Sequence, residues 1–191
     1  MARLLWQKIN DWINDNIVYR FFARVYWNFS IVDKSNGRPI VLRSRLPNGR
    51  FIRYLAEKYQ LKSVLSLEDD YDEDMNKWLD EYGIRHITVL NHCSAKTIFE
   101  DADDFKLYWQ LVNNEELQPM LIRCRGGADR TGAAVAAYRV LSQHWPKWKA
   151  WFEMLTFFHN PIKYKQPSRF LFGDLEELEI YAELTGKMRK K

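Results

Sequence analysis

An α/β fold with a central, mainly parallel sheet of about four to five strands flanked by helices is what this sequence predicts, and three observations carry the prediction. Short runs rich in Val, Leu and Ile alternate with segments of helical periodicity, the pattern that lays crossover helices on the faces of a parallel sheet. The 191 residues are 47% hydrophobic and 28% charged, which is enough apolar side chain for one domain with a core and too much for a disordered chain. The most apolar strand candidate, Met120 to Ile122, runs through a glycine-containing turn into a helix rich in Ala and Val.

The elements follow in order. Leu5, Ile9, Trp12, Ile13 and Ile17 recur at helical spacing, with Gln7, Lys8, Asn10, Asp11, Asn14 and Asp15 on the other faces, so an amphipathic helix opens the chain. Residues 1–30 are taken as an N-terminal extension and 31–191 as the main domain. A strand from Pro39 to Arg43 precedes a helix near Phe51 to Tyr59, and a strand from Ser63 to Leu67 precedes a helix around Glu73 to Tyr82. The pattern continues with a strand from His86 to Leu90, a helix near Asp103 to Val112, and the strand Met120 to Ile122. Helices are expected from Arg130 to Leu141, from Lys147 to Phe158, and from about Asp174 to Leu184 after Pro161 and Pro167. The acidic run Glu68 to Asp74 and the basic end Lys187 to Lys191 read as solvated surface.

Charge and cysteine content narrow the function classes. A formal net charge of +4, from 29 Lys plus Arg against 25 Asp plus Glu, is too small and too mixed to indicate a nucleic-acid partner. Two cysteines, Cys93 and Cys124, make no disulfide framework and no CxxC pair, so a reducing, cytoplasmic compartment is expected. The four histidines, at 86, 92, 144 and 159, show no ligand spacing, and neither a metal nor another cofactor is expected. No stretch approaches the roughly 20 apolar residues of a membrane-spanning helix. Residues 1–29, with Trp6, Trp12, Tyr19, Phe21, Phe22, Tyr26 and Trp27 beside Arg3, Lys8, Arg20 and Arg24, are a candidate for peripheral contact with the inner membrane face, together with Trp145, Trp148 and Trp151. Core packing of these aromatics is the simpler reading.

The segment from Cys124 to Gly132, Cys-Arg-Gly-Gly-Ala-Asp-Arg-Thr-Gly, carries chemistry. A turn between a buried strand and a helix N-terminus presents unpaired N–H groups and about half a positive charge to an anion. Arg125, Gly126, Gly127 and Ala128 would supply the cradle, and Arg130 can grip two phosphate oxygens at once, which a lysine cannot. Cys124 then lies beneath the phosphate, where these donors favour the thiolate, the form that attacks phosphorus. Thr131 is placed to donate its hydroxyl to the sulfur and ease its departure. A Cys-x5-Arg spacing alone decides little; the glycines, Thr131, the strand before and the helix after make the pattern specific.

With these residues the sequence resembles the cysteine-based protein tyrosine phosphatases, and within them the compact dual-specificity and bacterial groups whose loop ends in Asp-Arg-Thr-Gly. Val41-Leu42-Arg43-Ser44, Lys62 to Leu67 and Tyr82-Gly83-Ile84 also resemble that family, so the likeness covers about residues 39–155. It implies the same α/β fold for 31–191 and hydrolysis of phosphomonoesters through a phosphocysteine on Cys124. Two departures stand out: Arg123 occupies a position usually held by His, and the region where many dual-specificity relatives carry a general-acid Asp holds Asn91, His92 and Cys93. Asp129 matches the position from which a bacterial subgroup and the myotubularin lipid phosphatases are thought to supply the acid. Asp101, Asp103 and Asp104 are alternatives, although Asp residues there also suit a helix cap, and His92 is a third.

The resemblance makes a phosphorylated protein the expected substrate, phosphotyrosine first. A phospholipid or inositol phosphate competes, although Ala128 stands where some phosphoinositide-active members have a lysine. A pseudophosphatase that binds phosphate without turnover is a different class, and a rhodanese-like sulfur transferase fits Arg130-Thr131-Gly132 poorly. A reversible Cys93–Cys124 disulfide is conceivable beside the plainer reading of Cys93 as a buried thiol.

Overall fold

The computed structural model describes residues 23–68, 72–89, 102–163, 165, 171 and 172. The opening amphipathic helix, the helix expected from Asp174 to Leu184, and His92, Cys93 and Asp101 lie outside the described residues. Residues 23–27 are helical.

Five strands, β1 (Ser30–Ser35), β2 (Arg38–Arg45), β3 (Ser63–Ser66), β4 (Arg85–Thr88) and β5 (Met120–Cys124), form one sheet in the order β1-β2-β5-β3-β4. All neighbours are parallel except β1 and β2, so the expected mainly parallel sheet of about four to five strands is present. The sequence reading missed β1. Its signal is the Asn36-Gly37 pair: both residues have positive φ, 49° and 78°, which the tight turn of a β-hairpin requires and which these two residue types tolerate.

Helices α1 (Gly49–Tyr59), α2 (Glu73–Glu81), α3 (Ala102–Val112), α4 (Asp129–Gln143) and α5 (Lys147–Thr156) cover both faces of the sheet. Local chemistry sets their starts. The Asn48 side chain accepts from the Phe51 N–H at 3.0 Å and Asp72 from Met75 N–H at 2.7 Å, each satisfying a donor that the first turn leaves unpaired. On one face Phe51, Ile52 and Leu55 of α1 and Met75 and Leu79 of α2 pack against Leu42, Val64 and Leu121. On the other, α3, α4 and α5 pack against Val41, Leu65, Met120 and Ile122. Alternation along each strand divides the two sets.

α4 is buried almost all round, from Thr131 to Leu141 with Val140 partly exposed, and its run of alanines fits a helix enclosed by neighbours. Trp27 stacks on Phe51 at 4.8 Å and Trp145 lies 3.9 Å from the Lys149 ammonium, so two of the aromatics considered for membrane contact are used in packing. Tyr26 and Trp148 are exposed. Among the described residues no helix is long and apolar enough to cross a membrane.

Candidate active site

Cys124 ends β5, the middle strand, and is paired in register with Arg45 of β2. It is 3% exposed. The chain then turns through residues 125–128 and enters α4 at Asp129. Four successive carbonyls are held by donors. Arg125 O accepts from Leu46 N–H at 3.3 Å, Gly126 O from Asn28 Nδ2 at 3.2 Å, Gly127 O from Arg43 Nη2 at 2.6 Å, and Ala128 O from Gly132 N–H at 2.8 Å. The N–H groups of Gly126 to Arg130 donate to no described residue. Carbonyls tied outward and free amides are what a loop needs to bind an oxyanion.

Gly127 is required by space and by conformation. Its φ is +65°, and a Cβ there would lie 2.4 Å from Arg45 N and 2.6 Å from Ser44 C, backbone atoms of β2 that have no room to move. The glycine thus lets the loop press against β2.

Charge is arranged on both faces of β5. Pleating puts Arg123 on the face opposite Cys124, toward α1 and α2, and there Arg123 Nη1 donates to Glu68 Oε1 at 3.0 Å. The other oxygen of Glu68 accepts from Arg130 Nη2, and Arg130 Nη1 donates to Leu67 O at 3.3 Å. Glu68 therefore joins the two arginines through one carboxylate. This corrects the reading of Glu68 as solvated surface, because it is 5% exposed, whereas Glu73 and Asp74 of the same acidic run are exposed as expected. A carboxylate two residues beyond a parallel strand was the available signal, and its partners come from distant parts of the chain.

Arg43 is the second cation behind the loop. It is fully buried, its guanidinium lies 3.8 Å from the Phe157 ring centre, and its bond to Gly127 O is its described hydrogen bond. Burial lowers its pKa from the usual arginine range to about 10, while Glu153 and then the Cys124 sulfur pull in the other direction. It is cationic at neutral pH. The sequence comparison singled out Arg43 only as part of a strand.

His86 of β4 shares the Arg123 side of the sheet and bonds Ser66 Oγ through Nε2 at 2.6 Å. Burial, and then the Arg123 charge, hold its pKa below the usual 6.5. The unfolded chain takes up this proton first on acidification. The contribution of His86 to stability is thus complete above about pH 6.5 and is lost as pH drops through that value toward the folded-state pKa. We expect the urea midpoint to be lower at pH 5.5 than at pH 7.5, and His86→Gln to shrink that difference; an unchanged pH dependence in the variant would exclude His86 as its source.

Asp129, the first residue of α4, is engaged through one oxygen: Oδ1 lies 2.6 Å from His159 Nδ1 and 3.4 Å from Asn160 N. The Asp129 side chain is 23% exposed. The expected contact from Thr131 to the sulfur is not formed, since Thr131 Oγ1 is buried without a hydrogen-bond partner. Of the alternative acids, Asp103 and Asp104 are among the described residues, and neither has a described contact with the loop. Asp103 pairs with Lys106 at 2.6 Å on the exposed first turn of α3, with Asp104 beside it, positions that suit a helix dipole. No described group of three or more His, Cys, Asp or Glu side chains is arranged to hold a metal. Clefts of about 620 and 480 Å³ open at the opposite end of the sheet, around Lys62, Arg85 and Pro119, away from Cys124.

A mainly parallel sheet whose central strand ends in a cysteine, followed by a loop of free amides and an arginine at the start of a helix, places the protein among α/β folds that carry a thiol at the carboxyl end of the sheet. Residues 25–172 match the tyrosine phosphatase family, and the chain belongs to it. The dual specificity protein phosphatase TpbA of Pseudomonas aeruginosa is 33% identical over 116 residues, 61% of this chain and 50% of that protein. The chain thus spans about half the length of the curated relatives it matches. The TpbA crystal structure superposes with a TM-score of 0.64 at 30% identity, covering 77% of this chain and 88% of that one. The core catalytic domain of the PP-IP phosphatase SIW14 from S. cerevisiae shares the fold, with a TM-score of 0.69 at 24% identity over 86% of this chain and 96% of that one.

Proposed function

We propose that this protein hydrolyses phosphomonoesters, as a protein tyrosine or dual-specificity phosphatase working through a phosphocysteine on Cys124. The observation that carries the reading is the loop itself: a buried thiol below free amides, with Arg130 locked by Glu68. In the first step the Cys124 thiolate attacks phosphorus and the ester P–O bond breaks, while the proton of Asp129 passes to the departing oxygen. The products are the alcohol, the phosphocysteine and the Asp129 carboxylate. In the second, water attacks phosphorus and gives a proton to Asp129, and the S–P bond breaks to release phosphate and the thiolate. The Arg130 guanidinium and the free amides of Gly126 to Arg130 stabilise the equatorial oxygens. Thr131, whose hydroxyl is unpartnered in the resting site, donates to the sulfur as it leaves.

Phosphotyrosine in proteins is the favoured substrate. The support is that TpbA, a dual specificity protein phosphatase, has a structure in complex with pTyr. A reducing, cytoplasmic location suits a chemistry that needs a free thiol. The test is phosphate release, in EDTA at pH 5–7, from p-nitrophenyl phosphate, phosphotyrosine and phosphoserine peptides, phosphoinositides and phosphatidylglycerophosphate. We expect release from the aryl phosphate and the phosphotyrosine peptide. Preference for a lipid would move the substrate to the membrane surface, and no release from any of them would mean phosphate binding without turnover.

A further inference from the structure

The turn after α5 is built against the loop. Phe158 has φ of +63°, the left-handed conformation that bulky residues rarely adopt. It closes α5 in the manner of a Schellman motif: Phe158 N–H bonds Leu155 O at 3.1 Å and His159 N–H bonds Met154 O at 3.2 Å, the pattern in which glycine is the usual left-handed residue. The reversal turns the two flanking side chains inward. Phe157 lies on the Arg43 guanidinium, and its carbonyl shares the Asn28 amide with Gly126. His159, whose side chain is fully buried, meets Asp129.

We infer that His159 is a positioning residue for the proton transfer, holding Asp129 by one oxygen so that the other delivers the proton to the leaving group. The inference rests on the proposed acid role of Asp129. With the transferable proton on Oδ2, Oδ1 is an acceptor in the acid as in the carboxylate, so His159 Nδ1–H donates to it, and the Asn160 N–H adds a longer contact to the same atom. Oδ2 has no protein partner among the described residues and is the oxygen left to carry the transferable proton. With one oxygen pinned, the carboxyl cannot rotate to exchange its two ends, and the acid is held in one orientation during the first step. The advantage is geometric, because a positioned acid is worth about 10² to 10⁴-fold and small displacements forfeit much of that.

The experiment compares phenyl phosphate, whose leaving group needs a proton, with p-nitrophenyl phosphate, whose leaving group departs without one. His159→Ala is expected to lower kcat for phenyl phosphate about tenfold more than for p-nitrophenyl phosphate, with KM moved by less than about twofold. His159→Asn, whose side-chain amide can replace Nδ1–H, is expected to recover most of the loss and serves if the alanine variant does not fold. On phenyl phosphate, adding His159→Ala to Asp129→Asn should cost nothing further. Equal losses on both substrates for the His159 variants, while Asp129→Asn stays selective for phenyl phosphate, would overturn the inference and leave Asp129 as the acid. Equal losses for Asp129→Asn itself would remove the acid, and the role of His159 with it.

Discussion

Cys124→Ser is expected to lower turnover of every substrate by about 10⁴-fold or more, the scale on which loss of a covalent nucleophile acts. Serine has nearly the volume of cysteine, and the site is 3% exposed, so the fold should persist. A hydroxyl, however, is far less ionised than a thiol at neutral pH and is the weaker nucleophile toward phosphorus. The cradle is untouched by this change. The amides of Gly126 to Arg130 and the Arg130 guanidinium remain, so the variant should bind a phosphotyrosine peptide with wild-type affinity while failing to cleave it. Steady-state release of phosphate and equilibrium binding on the same sample check the two halves. Retention of more than about 1% of the wild-type rate would place the nucleophile elsewhere.

The second large effect concerns stability and rate together. Glu68 pairs with Arg123, whose side chain is 0% exposed, and with Arg130, whose side chain is 12% exposed. Removing one partner of a buried ion pair leaves charge without its counter-ion and typically costs about 3–5 kcal/mol. For a chain of this length Glu68→Ala should therefore lower Tm by roughly 6–20 °C. Below the melting temperature, kcat on p-nitrophenyl phosphate should fall about 100-fold, because Arg130 loses the carboxylate that fixes its fork. Glu68→Gln keeps the volume and some hydrogen bonding, and should fall between wild type and alanine in both measurements. A melting temperature within about 2 °C of wild type for Glu68→Ala would show that the two arginines do not depend on it.

These two residues were not equally legible. Cys124 announced itself through its neighbours, since an apolar strand, two glycines and Arg130-Thr131-Gly132 at fixed offsets are all local in the chain. Glu68 lay within an acidic run that a one-dimensional reading assigns to solvent. Its partners are 55 and 62 residues away, and they meet only because β3 and β5 are adjacent in the sheet. His159 is of the same kind. It is 30 residues from Asp129, and no periodicity or spacing pairs them. β1 differs, because Asn36-Gly37 marked a hairpin locally and the signal went unread.

Hydrophobic period, turn chemistry and one loop motif, all written over short stretches of chain, determined the α/β class, most of the strands and helices, and the residues around Cys124. Pleating of β5 and closure of the turn after α5 decided which charges stand behind that loop. Tertiary structure decided those contacts because an ion pair or a hydrogen bond depends on distance in space. The chain order of Glu68, Arg43 and His159 carries no record of which strand or loop each will come to rest beside.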